Sequence, residues 1–321
     1  MASIDAPAIV ITGPTGAGKS EVAVLVAESI DGAVISADSR QIYRHMDIGT
    51  AKPGPELRRS VPHYGLDVLD PDERYSAGRF ARDARRWIAE SRRHGRVPLI
   101  TGGTGFFIRA LLAPLGPEPL FDSRARAALR RQLTQLPVPE LARWLRRLDP
   151  ARAADLEREG GPQRLARSLE VILLSGRSHS WWLAQPPATP ALTALTFCLT
   201  LPREVLYRRL DGRFDRMLET GLLDEVRRLL IQYGEDAPGL RSVGYSELIA
   251  HLKGRLSLAE ATEAARRATR RFARRQLTWF RHQLPAGANH LDATQPVRRL
   301  AARIVEAWRD DAGLAGAGAR R

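Results

Sequence analysis

The chain opens as short β-branched apolar runs, each followed by a segment whose apolar residues recur at helical spacing. Ala8 to Thr12 is the first such run; it ends at a glycine loop, and Ser20 to Ser29 then carries the helical rhythm. Together they predict a βα unit. Ala33 to Ala37 predicts a second buried strand, Ser76 to His94 a helix ending near Gly95, and Val97 to Thr101 a strand running into Gly102 and Gly103. Strands alternating with helices predict an α/β fold, a parallel sheet with helices on both faces.

From about Asp122 to Ser175 the rhythm is helical only. The stretch begins after Pro114, Pro117 and Pro119 and closes at Gln185 to Pro190, which predicts a small all-helical insertion domain. The expected organisation is a core of residues 1–115 and 191–311 interrupted by an insertion of residues 116–190. Thr193 to Leu201 returns to strand character, helices follow through Gln283, Asn289 to Asp292 predicts a short strand, and Val297 to Trp308 a last helix. Residues 312–321 are expected to be a disordered tail.

Composition narrows the classes. The 321 residues are 44% hydrophobic and 27% charged, as in ordinary globular proteins, and no apolar run approaches the ~20 residues of a membrane span. The N-terminus lacks the basic start of a secretory leader, and a single cysteine, Cys198, allows no internal disulfide and no cysteine-ligated metal cluster. A cytoplasmic protein is expected. The net charge of +14 attracts phosphate backbones. Nearly all of the cations are Arg, with Lys19, Lys52 and Lys253 the only lysines, a bias that compositional drift also produces.

Gly13, Pro14, Thr15, Gly16, Ala17, Gly18, Lys19 and Ser20 spell G-x-x-x-x-G-K-[ST] between a strand and a helix, where a phosphate-binding loop must sit. Glycines let backbone N–H groups curl round phosphate oxygens, Lys19 adds a point charge, and the Ser20 hydroxyl can hold Mg²⁺. The loop is P-loop NTPase-like; by itself it accepts ATP as well as any other diphosphate. Asp38, Ser39, Arg40 and Gln41 follow the next strand and reach the carboxyl edge of the sheet, where α/β folds bind ligands. A carboxylate there can take a proton, help to hold Mg²⁺, or serve only as the N-cap of a following helix. Thr101-Gly102-Gly103-Thr104-Gly105 arrives at the same edge, as a turn that needs glycine or as a ligand contact.

Near the C-terminus Arg266, Arg270 and Arg274 form one helical row and Arg267, Arg271 and Arg275 the next, opposite an apolar seam of Ala261, Ala265, Ala268, Phe272 and Trp279. A row of like charge is often a merely solvated face, but at this density RNA is the favoured partner. Trp181 and Trp182, beside a Pro-rich linker, are expected to pack the insertion onto the core rather than to stack on bases.

With these motifs in view, the chain resembles the tRNA dimethylallyltransferases, also called tRNA isopentenyltransferases, of the bacterial type. The resemblance rests on GPTGAGKS at 13–20, DSRQIYRHMDIGTAKP at 38–53, GRVPLITGGTGFFIRAL at 95–111, QRLAR at 163–167, RFDRML at 213–218, RSVGYSEL at 241–248 and RRQLTWFR at 274–281. It implies that the loop cradles the diphosphate of dimethylallyl diphosphate, with Mg²⁺. The acceptor is then N6 of the adenosine 3′ of the anticodon, in a tRNA anticodon stem-loop. It implies Asp38 as general base and Lys19, Thr104 and Arg213 as groups that hold the diphosphate or position the reaction. The positions matching tRNA contacts are Asp38, Ser39, Arg40, Gln41 and Thr104; Arg126; Gln163, Arg164, Leu165, Ala166 and Arg167; Arg241, Ser242, Val243, Gly244, Tyr245 and Ser246; and Arg274, Arg275, Gln276, Trp279 and Arg281. Phe107 stands where the family more often has Tyr, removing a hydroxyl expected near Thr104. The Cys/His-rich C-terminal extension of eukaryotic members is absent, so the tRNA grip is expected from Arg-rich helices. A monomer is expected.

Two rival readings each explain part of the chain. One is a small-molecule enzyme, a P-loop kinase or an adenylate isopentenyltransferase, against which the basic helix and the insertion argue. The other is a nucleotide-dependent RNA-binding protein without transfer chemistry, against which the carboxylate beside the loop argues.

Overall fold

The computed structural model describes residues 7–114, 116–117, 119, 121–187 and 189–318. The expectations bearing on residues 1–6 and 319–321 lie outside the described residues. The first half of the core contains β1 (Ala8–Thr12), α1 (Lys19–Ile30), β2 (Gly32–Ser36), α2 (Pro55–Ser60), β3 (His63–Tyr64), α3 (Ala77–Arg93), β4 (Val97–Gly102) and α4 (Gly105–Leu112). Helices α5 (Ser123–Gln135), α6 (Val138–Leu148), α7 (Pro150–Glu159), α8 (Pro162–Ser175) and α9 (His179–Ala184) follow. The second half adds β5 (Ala194–Thr200), α10 (Arg203–Glu219), α11 (Leu222–Tyr233), α12 (Tyr245–Leu252), α13 (Leu258–Gln283), β6 (Asn289–Asp292) and α14 (Val297–Gly318).

The sheet is six-stranded in the order β3-β2-β4-β1-β5-β6, and each neighbouring pair is parallel. Its central strands β1, β2 and β4 are buried along their whole length, as a sheet covered on both faces requires. One apolar cluster joins Ile9, Ile11 and Leu199 to Val22, Val26 and Ile304, and another joins Val10, Ile35 and Ile100 to Phe80, Ile88 and Ile108. The α/β class read from the sequence is the observed one. Helix α3 begins where expected because Ser76 caps it, accepting the Arg79 N–H at 3.1 Å. Strand β3 is too short for a periodic signal. Helix α14 runs to Gly318, past position 312 where a disordered tail is expected, although three of the residues 313–318 are glycines, which favour helix poorly.

By chain contacts the molecule divides into one unit of Met1–Ala113 with Leu192–Arg321 and a second of Pro114–Ala191. The second unit has its own core, including Leu133, Leu141, Leu145, Leu169 and Ile172. Asp149 caps α7 through the Arg152 N–H and also accepts the Ser180 N–H and hydroxyl, fastening α9. Trp182 donates its indole N–H to the Ser175 hydroxyl at 3.1 Å, whereas Trp181 is 40% exposed beneath the Arg177 guanidinium.

Candidate functional site

The loop from Gly13 to Gly18 leaves the carboxyl end of β1 and delivers Lys19 and Ser20 to the first turn of α1. Lys19 donates to the Pro14 carbonyl at 2.9 Å. Burial pulls its ammonium down to about 8, opposed by Asp38 and reinforced by Arg213. Arg213, on α10, donates to the Thr15 hydroxyl at 2.8 Å, and burial lowers its guanidinium too, with Asp38 opposing. Two cations beside a helix N-terminus, short of counter-charge, make an anion site. Cys198, on β5, is buried, and that burial pushes its thiol up to about 11.

Asp38 emerges just beyond β2. Its Oδ1 accepts the N–H groups of Arg40 at 2.8 Å and Gln41 at 3.4 Å, closing a turn; no helix begins there, since the next one is α2, so the helix-capping reading does not hold, and Oδ2 takes no part in that turn. Thr104 comes from the end of β4; its hydroxyl accepts the Ser39 N–H at 3.0 Å and donates to the Ser39 hydroxyl at 3.3 Å.

Two cavities meet here. One, of about 420 Å³, is lined by Gly16, Gly18, Lys19, Ser20 and Arg216; the other, of about 280 Å³, by Ser39, Arg40, Thr104, Phe214, Arg241, Val243, Gly244, Phe272 and Arg275. Thr15, Asp38, Thr50 and Arg213 line both. A carboxylate and a cation therefore stand at the junction of a phosphate-binding chamber and a second chamber with an apolar wall. Among the described residues no cluster of three acidic, His or Cys side chains could hold a metal ion. Ser20 and Asp38 beside the loop still fit Mg²⁺, which normally takes most of its ligands from water and phosphate oxygens.

Several sequence-derived residues serve the framework instead. Gln41 donates to the Thr50 and Ala51 carbonyls at 3.3 and 3.1 Å and accepts the Ser36 hydroxyl at 3.0 Å, so its amide braces the site. Gln276 is buried, accepts the Thr15 N–H at 2.9 Å and donates to the Gly103 carbonyl at 2.8 Å, stitching loop to turn. Tyr245 is fully buried, the Ser242 hydroxyl is turned onto the Gly239 carbonyl, and the exposed Ser246 donates to backbone carbonyls. Leu165 packs in the core of the second unit with Ala166 against it. In that unit Arg126 and Arg167, with Arg130, hold the buried Glu170; burial works to raise its carboxyl, but the three guanidiniums outweigh it and keep it below the usual carboxylate range. Gln163 and Arg164 stand exposed on α8.

On α13 the expected outward row is partly paired: Arg266 binds Asp215 and Glu263, and Arg270 binds Asp211 at 2.7 Å. Arg274, Arg275 and Arg281 are exposed. The observed seam is Ala261, Ala265, Ala268, Ala273, Gln276 and Phe280, because Phe272 turns to the second cavity and Trp279 packs on Gly105. Phe107 stacks on Phe80 with ring centroids 4.5 Å apart and belongs to the apolar cluster of that face.

Sequence reasoning missed His63, on the wall of the phosphate chamber. Its Nδ1 contacts the Val61 carbonyl at 2.9 Å, its Nε2 is buried with no partner among the described residues, and burial lowers its imidazole. A lone histidine beside a tyrosine carries no motif that would have found it.

Comparison with known proteins places this geometry. A family described as IPP transferase matches residues 41–283, and one described as isopentenyl transferase matches residues 7–62. The tRNA dimethylallyltransferase of Syntrophobacter fumaroxidans is 42% identical over 280 residues, covering 87% of this chain and 82% of that protein. The crystal structure of the full-length tRNA isopentenylpyrophosphate transferase of Bacillus halodurans is 32% identical with a TM-score of 0.72, covering 99% of this chain and 100% of that one. A eukaryotic dimethylallyltransferase acting on tRNA, 27% identical, has a TM-score of 0.78 and covers 90% of this chain and 74% of that one.

Proposed function

Since the chain belongs to the IPP transferase family, we propose that it transfers a dimethylallyl group from dimethylallyl diphosphate to N6 of the adenosine 3′ of the anticodon, releasing diphosphate. It is a prenyl-transferring enzyme that modifies tRNA. The observation that carries the proposal is the position of Asp38 on the walls of both cavities.

The donor's diphosphate lies in the 420 Å³ chamber, on the N–H groups of the loop with Lys19 and Arg213 beside it. Adenine enters the 280 Å³ chamber, between Phe214, Phe272 and Val243. A stacked base cannot reach Asp38, so the adenosine is extruded from its loop before reaction. An exocyclic amine is a weak nucleophile because its lone pair is delocalised into the ring. Asp38 accepts the N6 hydrogen bond and removes the proton, a contribution of roughly 10² to 10⁴ in rate. Arg213 and Lys19 stabilise the charge that develops on the departing diphosphate, and Thr104 holds the segment carrying Asp38 through Ser39. Ser20 would hold Mg²⁺ beside the loop, and the ion when bound would supply further positive charge to the leaving group.

The exposed Arg274, Arg275 and Arg281, with Arg241 on the second chamber, supply the positive surface for the anticodon stem-loop, and in the second unit exposed Arg164 adds a charge and exposed Gln163 a neutral amide. We place the protein in the cytoplasm as a monomer; its single cysteine suits a reducing compartment, and among the described residues no helix is long and apolar enough to cross a membrane. The deciding experiment offers labelled dimethylallyl diphosphate and Mg²⁺ with unmodified tRNA or with AMP. Label in tRNA is expected; label only in AMP would make the protein an adenylate isopentenyltransferase.

A further inference from the structure

Glu225, on α11, is 2% exposed, and among the described residues no cation pairs with it. Its carboxylate instead accepts three consecutive backbone N–H groups, those of Asp47 at 2.9 Å, Ile48 at 2.8 Å and Gly49 at 3.1 Å, together with the Tyr245 phenol at 2.6 Å. Successive backbone donors closing on one anion form a nest, here occupied by a side chain of the same protein. The Tyr245 ring presses so close to Gly49 that a methyl group there would lie 2.5 Å from it. The loop is thus held by two side chains that also bond each other.

The clamped segment leads to the reacting centre. The next two carbonyls, of Thr50 and Ala51, accept the Gln41 amide; that amide is fixed at its other end by Ser36, and the backbone N–H of Gln41 reaches Asp38 Oδ1. Gly49 and Thr50 also line the second chamber. We infer that Glu225 is a positioning residue for prenyl transfer: it anchors residues 47–51, and through Gln41 that loop sets the direction of the Asp38 carboxylate. The inference rests on the reading of Asp38 as the base. Lys52 braces the same loop independently, bonding Asp47 and Asp67 at 2.6 Å and the Tyr43 carbonyl at 2.8 Å, so the loop keeps its fold when the Glu225 charge is removed. A loss of aim without loss of fold is what a positioning role predicts, because small misplacements of a catalytic group cost rate steeply.

The test is a double-mutant cycle of Glu225→Gln and Gln41→Ala in the full chain. It measures the single-turnover rate, KM for dimethylallyl diphosphate and Kd for tRNA. Glu225→Gln is expected to slow turnover at least about tenfold with KM and Kd within about twofold, and the double variant to be no slower than Gln41→Ala. An unchanged rate, a parallel rise in KM and Kd, or losses that multiply in the double variant would overturn the inference. Should Glu225→Gln not fold, Tyr245→Phe, which removes one of the four donors and keeps the ring, enters the same cycle under the same criteria. Asp38→Ala separates the two claims. If it keeps its rate, the base reading falls; if it is inactive while Glu225→Gln matches wild type, the positioning role alone falls.

Discussion

The guanidinium of Arg213 donates to the hydroxyl of Thr15 at 2.8 Å, tying α10 to the phosphate loop across 198 positions of sequence. A cation resting on a hydroxyl keeps most of its charge for an incoming anion. Arg213→Ala is expected to slow transfer roughly 10²-fold at saturating donor, the scale of losing one preorganised charge at a leaving group. Arg213→Lys should recover only part, because an ammonium lacks the planar fork that serves the hydroxyl and an anion together. Single-turnover rates on tRNA check both.

Asp38→Ala should lower the rate about 10²- to 10⁴-fold while tRNA affinity stays within a few-fold. Filter binding alongside turnover separates the effects. Equal losses in both would make Asp38 a tRNA contact rather than a base.

Burial draws the Lys19 ammonium down to about 8, so it is charged below that pH and increasingly neutral above it. Diphosphate binds the charged form; above pH 8 a proton must be taken up with the ligand, and affinity should fall by up to about tenfold per pH unit. Calorimetric titration with inorganic diphosphate from pH 7 to 9.5 would show the step. In Lys19→Met the step should vanish, leaving only the ligand's own titration.

The two kinds of arginine on α13 should behave differently. Arg274→Ala and Arg275→Ala remove exposed charges, so each should weaken tRNA binding and reduce its salt slope by about one. Arg270→Ala leaves Asp211 without its partner; it should lower stability by about 1 kcal/mol or less and change the salt slope little, since the pair is roughly a third exposed. Thermal melts and binding at three salt concentrations distinguish them.

A methyl group on Gly105 would lie 2.3 Å from the Trp279 ring. Gly105→Ala should therefore cost about 1 to 3 kcal/mol by overpacking, and Trp279→Leu in the same chain should restore part of it. Chemical denaturation of the four proteins of this cycle measures the coupling.

What the sequence made legible was whatever is encoded within one stretch of chain. The run Ala8–Thr12, the glycine loop and the helix after it carry their own periodicity, and the turns at Gly102 and Gly103 their own chemistry. The bracing of the site was not legible, because Gln276 meets Thr15, Gln41 meets Thr50 and Glu225 meets Gly49 through tertiary packing that no local rhythm records. Helix α13 shows the boundary: its heavy load of arginine was plain, but Arg266, beyond its local partner Glu263, and Arg270 pair with aspartates on α10, at separations of 51 and 59 residues. Phe272 and Phe280 look alike as apolar positions; only the fold sends one to a chamber and the other to the core.

Because the only thiol in the chain, Cys198, is buried and reluctant to ionise, the wild-type surface offers nothing to maleimide or iodoacetamide dyes. Cysteines introduced at exposed Arg164 and Arg274 would then take a donor and an acceptor fluorophore without prior removal of native sulfur. The native protein is in that sense a ready chassis for watching, molecule by molecule, how a label on each unit responds when tRNA is added.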